Sequence, residues 1–171
     1  YSIVGGNPKS EFAIDSMSGE VTLTKPLDYE AMKSYRLVVR AQDGGTPPKT
    51  NTTTLSVNVI DFNDDAPRFY SSQIQETVLE SVSVGHNIVR VQAYDADEGL
   101  NSEITYTIPD RDPNFPFAVD PRTGQIHTTK PLDREDKHRY TFQVLAVDGG
   151  VPPKSGSTTI QITVQDVNDN N

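Results

Sequence analysis

The sequence predicts an all-β chain of two β-sandwich modules in tandem, the first incomplete. Three observations carry that reading. The 171 residues repeat at a fixed offset, Tyr1 falling on Tyr106. Apolar and polar residues alternate with period two along several segments, and none sustains a helical period. Asp-Gly-Gly-x-Pro-Pro segments join the longest of those runs at equivalent places, as loops would.

Aligned without a gap from Tyr1 and Tyr106, 28 of 66 paired positions are identical. Phe12-Ala13-Ile14-Asp15 meets Phe117-Ala118-Val119-Asp120, and Lys25-Pro26-Leu27-Asp28 meets Lys130-Pro131-Leu132-Asp133. Match of this density marks two copies of one module. In the first copy, Tyr35, Leu37, Val39 and Ala41 share one strand face. After the loop at Asp43-Gly44-Gly45, Leu55, Val57 and Val59 alternate with Ser56, Asn58 and Ile60. In the second copy, Val89, Val91 and Ala93 form an early strand. Tyr140, Phe142, Val144 and Ala146 form another, and Ile160, Ile162 and Val164 a third. A module of this length with about seven short strands is a sandwich. Residues 67–105 have no counterpart in the first copy. It is therefore expected to lack its first two strands, to expose core and sheet edges, and to be poorly stable or completed by another chain. The missing residues are expected to precede Tyr1.

Composition narrows the function. The net charge is -9, with 24 acids against 15 bases. Nucleic acid and anionic membrane surfaces both want a basic face. No apolar run is long enough for a membrane helix. Cysteine is absent, so there is no disulfide staple or thiol nucleophile. A metal is the common substitute in small extracellular domains. Serines and histidines show no nucleophile context, His86, His127 and His138 lack metal-ligand spacing, and no Gly-rich phosphate loop appears. Paired carboxylates could serve a glycosidase, but not once per repeat at a linker. The reading is not an enzyme, with no small-molecule substrate.

The acids gather where strands end. In the second copy these are Glu80, Asp95 and Asp97, Asp133 and Glu135, Asp148, and Asp166 and Asp169. Carboxylates about 6 Å apart repel by roughly 2–3 kcal/mol per pair at an effective dielectric near 20. A hard divalent cation removes that repulsion, and calcium takes six to eight oxygens from carboxylates, amides and carbonyls. A solvated acidic face need not keep Asp28, Glu30, Asp61, Asn63 and Asp64 in register with their second copies.

These motifs resemble those of cadherin repeats over the entire chain. Leu27-Asp28-Tyr29-Glu30 and Leu132-Asp133-Arg134-Glu135 look like the family's LDRE. Asp61-Phe62-Asn63-Asp64-Asp65 and Asp166-Val167-Asn168-Asp169-Asn170 look like DxNDN, and Asp95-Ala96-Asp97-Glu98-Gly99-Leu100-Asn101 like DxDxGxN. The resemblance implies seven-strand Greek-key, immunoglobulin-like sandwiches strung into rods, with three calcium ions at each junction. The divisions expected are a partial repeat over 1–60, a calcium-binding connector over 61–66, a complete repeat over 67–165 and the next connector from 166 to 171.

The resemblance also assigns ligands. The central junction would use Asp28 and Glu30, then Asp61, Asn63 and Asp64 by side chain, with Phe62 and Asp65 by carbonyl. The second copy would give Asp95, Asp97 and Asp148 by side chain and Asn101 by carbonyl. Glu80, Asp133, Glu135, Asp166, Asn168 and Asp169 would serve the following junction, and Asp43 one upstream. The family's junction also uses a Glu near the start of the upstream module, the counterpart of Glu80, which this chain lacks. The calcium nearest the second copy should therefore bind best. The implied function is calcium-dependent adhesion in the extracellular part of a plasma-membrane protein. Its partner would be another cadherin, on an opposing or the same cell, of the same or a different kind. The alternative is a spacer or stalk of a planar-polarity receptor without partner contact. The motif forms look closest to the Fat, Dachsous, Flamingo and protocadherin branches. Asn51-Thr52-Thr53 is an N-glycosylation sequon.

Overall fold

Three strand ladders repeat at the sequence offset. The computed structural model describes residues 1–109 and 112–166. It divides into two compact units, Tyr1–Phe62 and Asn63–Asn171. The first contains β1 (Ser2–Gly5), β2 (Phe12–Ile14), β3 (Val21–Leu23), β4 (Ser34–Gln42) and β5 (Thr50–Asn58). The second contains β6 (Arg68–Phe69), β7 (Gln73–Leu79), β8 (Asn87–Arg90), β9 (Ala93–Tyr94), β10 (Thr105–Thr107), β11 (Phe117–Val119), β12 (Gln125–Thr128), β13 (Arg139–Val147) and β14 (Ser155–Gln165). Ser2 pairs with Arg40 as Thr107 pairs with Leu145. Phe12 pairs with Leu23 as Phe117 pairs with Thr128. Ser34 pairs with Asn58 as Arg139 pairs with Thr163. Period-two patterning fixes register because a one-residue slip would turn each apolar face to water.

In the second unit, one sheet runs β10-β13-β14-β7 and another β11-β12-β8, with a short β6-β9 pair. Both larger sheets feed one core, including Val78, Tyr106, Phe117, Ile126, Val144, Ile160 and Ile162. This is the sandwich expected. β7 runs parallel to β14, and the remaining ladders of the two larger sheets are antiparallel. The early strand is not continuous as its alternation suggested. β8 pairs with β12, whereas β9 pairs with β6, and the buried Val91 lies between them. Period two survives the break, since Val91 and Ala93 stay covered while Arg90, Gln92 and Tyr94 are exposed, so alternation alone does not reveal it.

The hairpin between β11 and β12 turns on Asp120. Its Oδ1 accepts from Arg122 N at 3.1 Å and Thr123 N at 2.7 Å. Gly124, at φ +72°, completes the turn, and a Cβ there would stand 2.3 Å from the Val91 carbonyl oxygen. Both the left-handed backbone and the close approach require glycine.

The first unit repeats the ladders over a smaller core, with Phe12, Tyr35 and Leu37 buried. Strand β5 pairs with β4 alone among the described residues, whereas its counterpart β14 lies between β13 and β7. Leu55 on β5 is 41% exposed, while Ile160 at the same repeat position is fully buried. The two sequences share their strand pattern. What differs is the layer that covers it.

Candidate metal centre

Asp148 shapes the loop that follows β13. Its backbone N–H donates to the Lys154 carbonyl at 3.0 Å. Its Oδ1 accepts from Gly150 N and Lys154 N, each at 3.0 Å. The side chain thus closes a turn whose prolines have no N–H to contribute. Asp43 does the same in the first unit, accepting from Gly45 N at 3.0 Å and Lys49 N at 2.8 Å. The Lys49 and Gly45 amides hold the Asp43 carboxyl below the ordinary aspartate value.

Asn63 docks against the Asp148 loop. Its Nδ2 donates to the Pro152 carbonyl at 2.9 Å and to Asp148 Oδ1 at 3.2 Å. Two acceptors on one side fix the amide orientation. Asn63 Oδ1 then points elsewhere, buried and without a hydrogen-bond partner. Gly150 makes this possible, since a Cβ there would lie 2.1 Å from Asn63 Nδ2.

The segment after β9 brings further oxygens. Asp95 Oδ1 accepts from Asp97 N at 3.0 Å. Asp95 Oδ2 is buried without a hydrogen-bond partner. Asp97 is itself only 4% exposed. A 3-10 turn over Gly99–Ser102 follows and includes Asn101. The Leu100 carbonyl in that turn accepts from Gly149 N at 3.0 Å, fastening it to the Asp148 loop. Asp64 and Asp97 offer carboxylate oxygens within 4.8 Å of each other.

Three loops of one unit therefore converge on acids, and buried oxygens of Asn63, Asp95 and Asp148 lack a hydrogen bond. Leaving a buried acceptor unsatisfied costs about 1–3 kcal/mol, more for a charged group. Cations held among these loops would satisfy such oxygens. The donors are carboxylate and amide oxygens, which suit a hard ion of the calcium kind rather than a thiophilic metal. The residues present fit such an ion.

The other expected ligands are placed as follows. Asp65 is engaged by Arg68 at 3.1 Å. Asp28 Oδ1 accepts from Ala31 N at 2.9 Å, Glu30 is exposed, Asp61 is half-buried and Phe62 is 73% exposed. Glu80 Oε2 accepts from Arg134 N at 3.0 Å. Arg134 Nη1 reaches Glu135 at 3.2 Å and Asp166 at 3.3 Å. Asp133 Oδ1 accepts from Glu135 N at 2.9 Å. Asn168 and Asp169 lie outside the described residues. Asn51 is exposed at the start of β5, its Oδ1 accepting from Thr52 N at 2.9 Å. Gly149, Gly150 and Lys154 also serve the site, and the signal for them in the sequence is their repetition as Gly44, Gly45 and Lys49.

The chain is similar over nearly its whole length to known proteins. The cadherin domain model matches residues 1–60 and 74–165. The chain is 69% identical over 170 residues to the protocadherin-like wing polarity protein stan of Drosophila melanogaster. It is 45% identical over 171 residues to the cadherin EGF LAG seven-pass G-type receptor 3 of Homo sapiens. In both cases 99% of this chain is covered, and it spans only 5% of the relative's length. Among solved structures, mouse cadherin-23 EC22-24 superposes with a TM-score of 0.92 at 34% identity, covering 98% of this chain and 54% of that one. The protocadherin gammaB7 EC3-6 cis-dimer gives 0.89 at 30% identity, covering 98% and 41%.

Proposed function

The chain belongs to the cadherin family, and from that premise we propose that it forms part of a calcium-dependent adhesive ectodomain on the extracellular side of a plasma membrane. The observation that carries this is the trio of buried, unsatisfied oxygens on Asn63, Asp95 and Asp148. Bound calcium supplies the positive charge that these oxygens and the neighbouring carboxylates lack.

The chain's own residues do the rest. Asp148 uses one oxygen to shape its loop and keeps the other for the ion. Asn63 is turned by Pro152 and Asp148 so that its oxygen is available. Asp95 and Asp97 are held by their own turn, and Asp64 stands beside Asp97. We assign Asp28 and Glu30 of the first unit, Asp61 by side chain, and the Phe62, Asp65 and Asn101 carbonyls to the same junction. Glu80, Asp133, Glu135, Asp166, Asn168 and Asp169 are assigned to the next one. Calcium held by these ligands would limit hinge motion of the connector, and the ectodomain would present adhesive surfaces to another cadherin, of its own or a different kind. Exposed Asn51 is assigned as a carrier of N-linked sugar.

Calorimetric titration with calcium tests the reading. Binding at about 0.1–1 mM, the range of extracellular calcium modules, is expected. It should be lost in Asp97→Ala and weakened in Asp64→Ala. Absence of saturable binding to the parent chain would overturn the proposal.

A further inference from the structure

We propose that Lys154 is a positioning residue for the metal centre, strapping the connector onto the Asp148 loop. The inference rests on the calcium reading above. Lys154 meets the site twice. Its backbone N–H donates to Asp148 Oδ1 at 3.0 Å, and its ammonium donates to the Asp64 carbonyl at 2.6 Å. One half-buried residue thus joins two ligand-bearing segments.

The ammonium bond acts on the direction of a ligand. In extended chain, a carbonyl and the side chain of the same residue point along set directions. Fixing the Asp64 carbonyl therefore restricts the direction of its Cα–Cβ bond, and so the reach of a carboxylate that lies beside Asp97. The bond is charge-assisted and short, the stronger kind.

The loop itself does not depend on the Lys154 side chain. Lys49 in the first unit makes the same backbone bond to Asp43, at 2.8 Å. The loop is shaped by the aspartate and the backbone amides. Replacing the Lys154 side chain therefore removes the strap and leaves the turn.

A lysine near a calcium site also repels the ion. The two effects have opposite signs, so the experiment decides between them. The ammonium is bonded directly to the backbone of Asp64, inside the screening length of about 8 Å, so the repulsion is not screened out, and weaker binding in Lys154→Met is the outcome that shows the strap outweighs it. Lys154→Met removes the charge and the donor but keeps most of the stem. Lys154→Arg keeps both charge and donor.

Calcium titration of the whole chain is compared for the three proteins, with melting curves as a check on folding. The expected result is about threefold to tenfold weaker binding in Lys154→Met, the scale of one ordinary hydrogen bond, and recovery in Lys154→Arg. Hydrogen exchange should also quicken at residues 63–66 in metal-free Lys154→Met. If the parent binds and Lys154→Met binds equally or more tightly at unchanged melting temperature, the strap is refuted and the calcium reading stands. If the parent does not bind, both fall together. If Lys154→Met melts lower, hydrogen exchange confined to residues 63–66 supports the strap, and exchange spread over the unit refutes it.

Discussion

Asn63 and Asp148 are 85 positions apart in sequence and share a hydrogen bond of 3.2 Å. The bond leaves each of them with a buried oxygen that has no hydrogen-bond partner. Each side chain is half satisfied by the protein, and the remaining halves are what a cation needs. The arrangement costs stability wherever no ion is bound, because unsatisfied buried acceptors are a standing cost.

Gly150→Ala should break this relationship. The added methyl would stand 2.1 Å from Asn63 Nδ2 and 2.4 Å from its Cγ, so Asn63 must move. Overpacking of this kind costs about 1–3 kcal/mol, and calcium affinity should fall with it. Gly44→Ala is the control, since nothing lies within 4 Å of a Cβ there. It should change stability by no more than about 0.5 kcal/mol, as surface substitutions usually do. Thermal melts with and without calcium check both. Equal effects from the two alanines would defeat the argument.

The two units should also answer core truncation differently. Ile160 is fully buried and Leu55, its repeat counterpart, is 41% exposed. Ile160→Ala should cost about 2–5 kcal/mol, the range for deleting a buried aliphatic side chain. Leu55→Ala already exposes much of what it removes, so its cost should be well below that. Chemical denaturation followed by hydrogen exchange separates the units and reads each loss.

Much of this was legible in sequence. The gapless repeat placed β4 and β13, β5 and β14 at matched positions, and the recurrence of Asp28, Glu30, Asp61, Asn63 and Asp64 is the ground for the metal set proposed. Local patterns hold that information because side-chain alternation and motif spacing are local. What escaped was tertiary. Nothing in the run Asp148-Gly149-Gly150 says that an asparagine from position 63 packs against it. Nor does the alternation of Val89, Val91 and Ala93 say that β8 and β9 choose different partners. The 2.6 Å bond from Lys154 to the Asp64 carbonyl is between groups 90 positions apart, and lysine is ordinarily a surface residue.

Acid should reveal the turn aspartates. Hydrogen bonding to Thr123, backbone first and then side chain, is the main cause that holds the Asp120 carboxyl below its ordinary value. A group depressed in the folded state adds stability above its unfolded value, near 3.9. That contribution fades as pH falls through the lower, folded value. Asp120→Asn should therefore melt below the parent at pH 7, and the gap should narrow below about pH 4. A gap constant with pH would mean that charge plays no part in the turn.

Calcium itself should act as a stabiliser of the second unit, and selectively. An ion that binds only the folded state at ten times its dissociation constant adds about 1.4 kcal/mol per site. The melting temperature should rise with calcium and return on chelation. Asp97→Asn keeps the size of a residue that is 4% exposed but removes its charge, so most of that rise should vanish. Its metal-free melting temperature should hold or increase, since one charge leaves a crowded acidic site. Magnesium should stabilise much less at equal concentration, because it demands near-ideal octahedral geometry and dehydrates reluctantly. A metal-free Asp97→Asn that melts well below the parent would mean instead that Asp97 serves the fold. The carboxylates of this loop would then be structural groups, and the calcium site would have to be sought elsewhere in the chain.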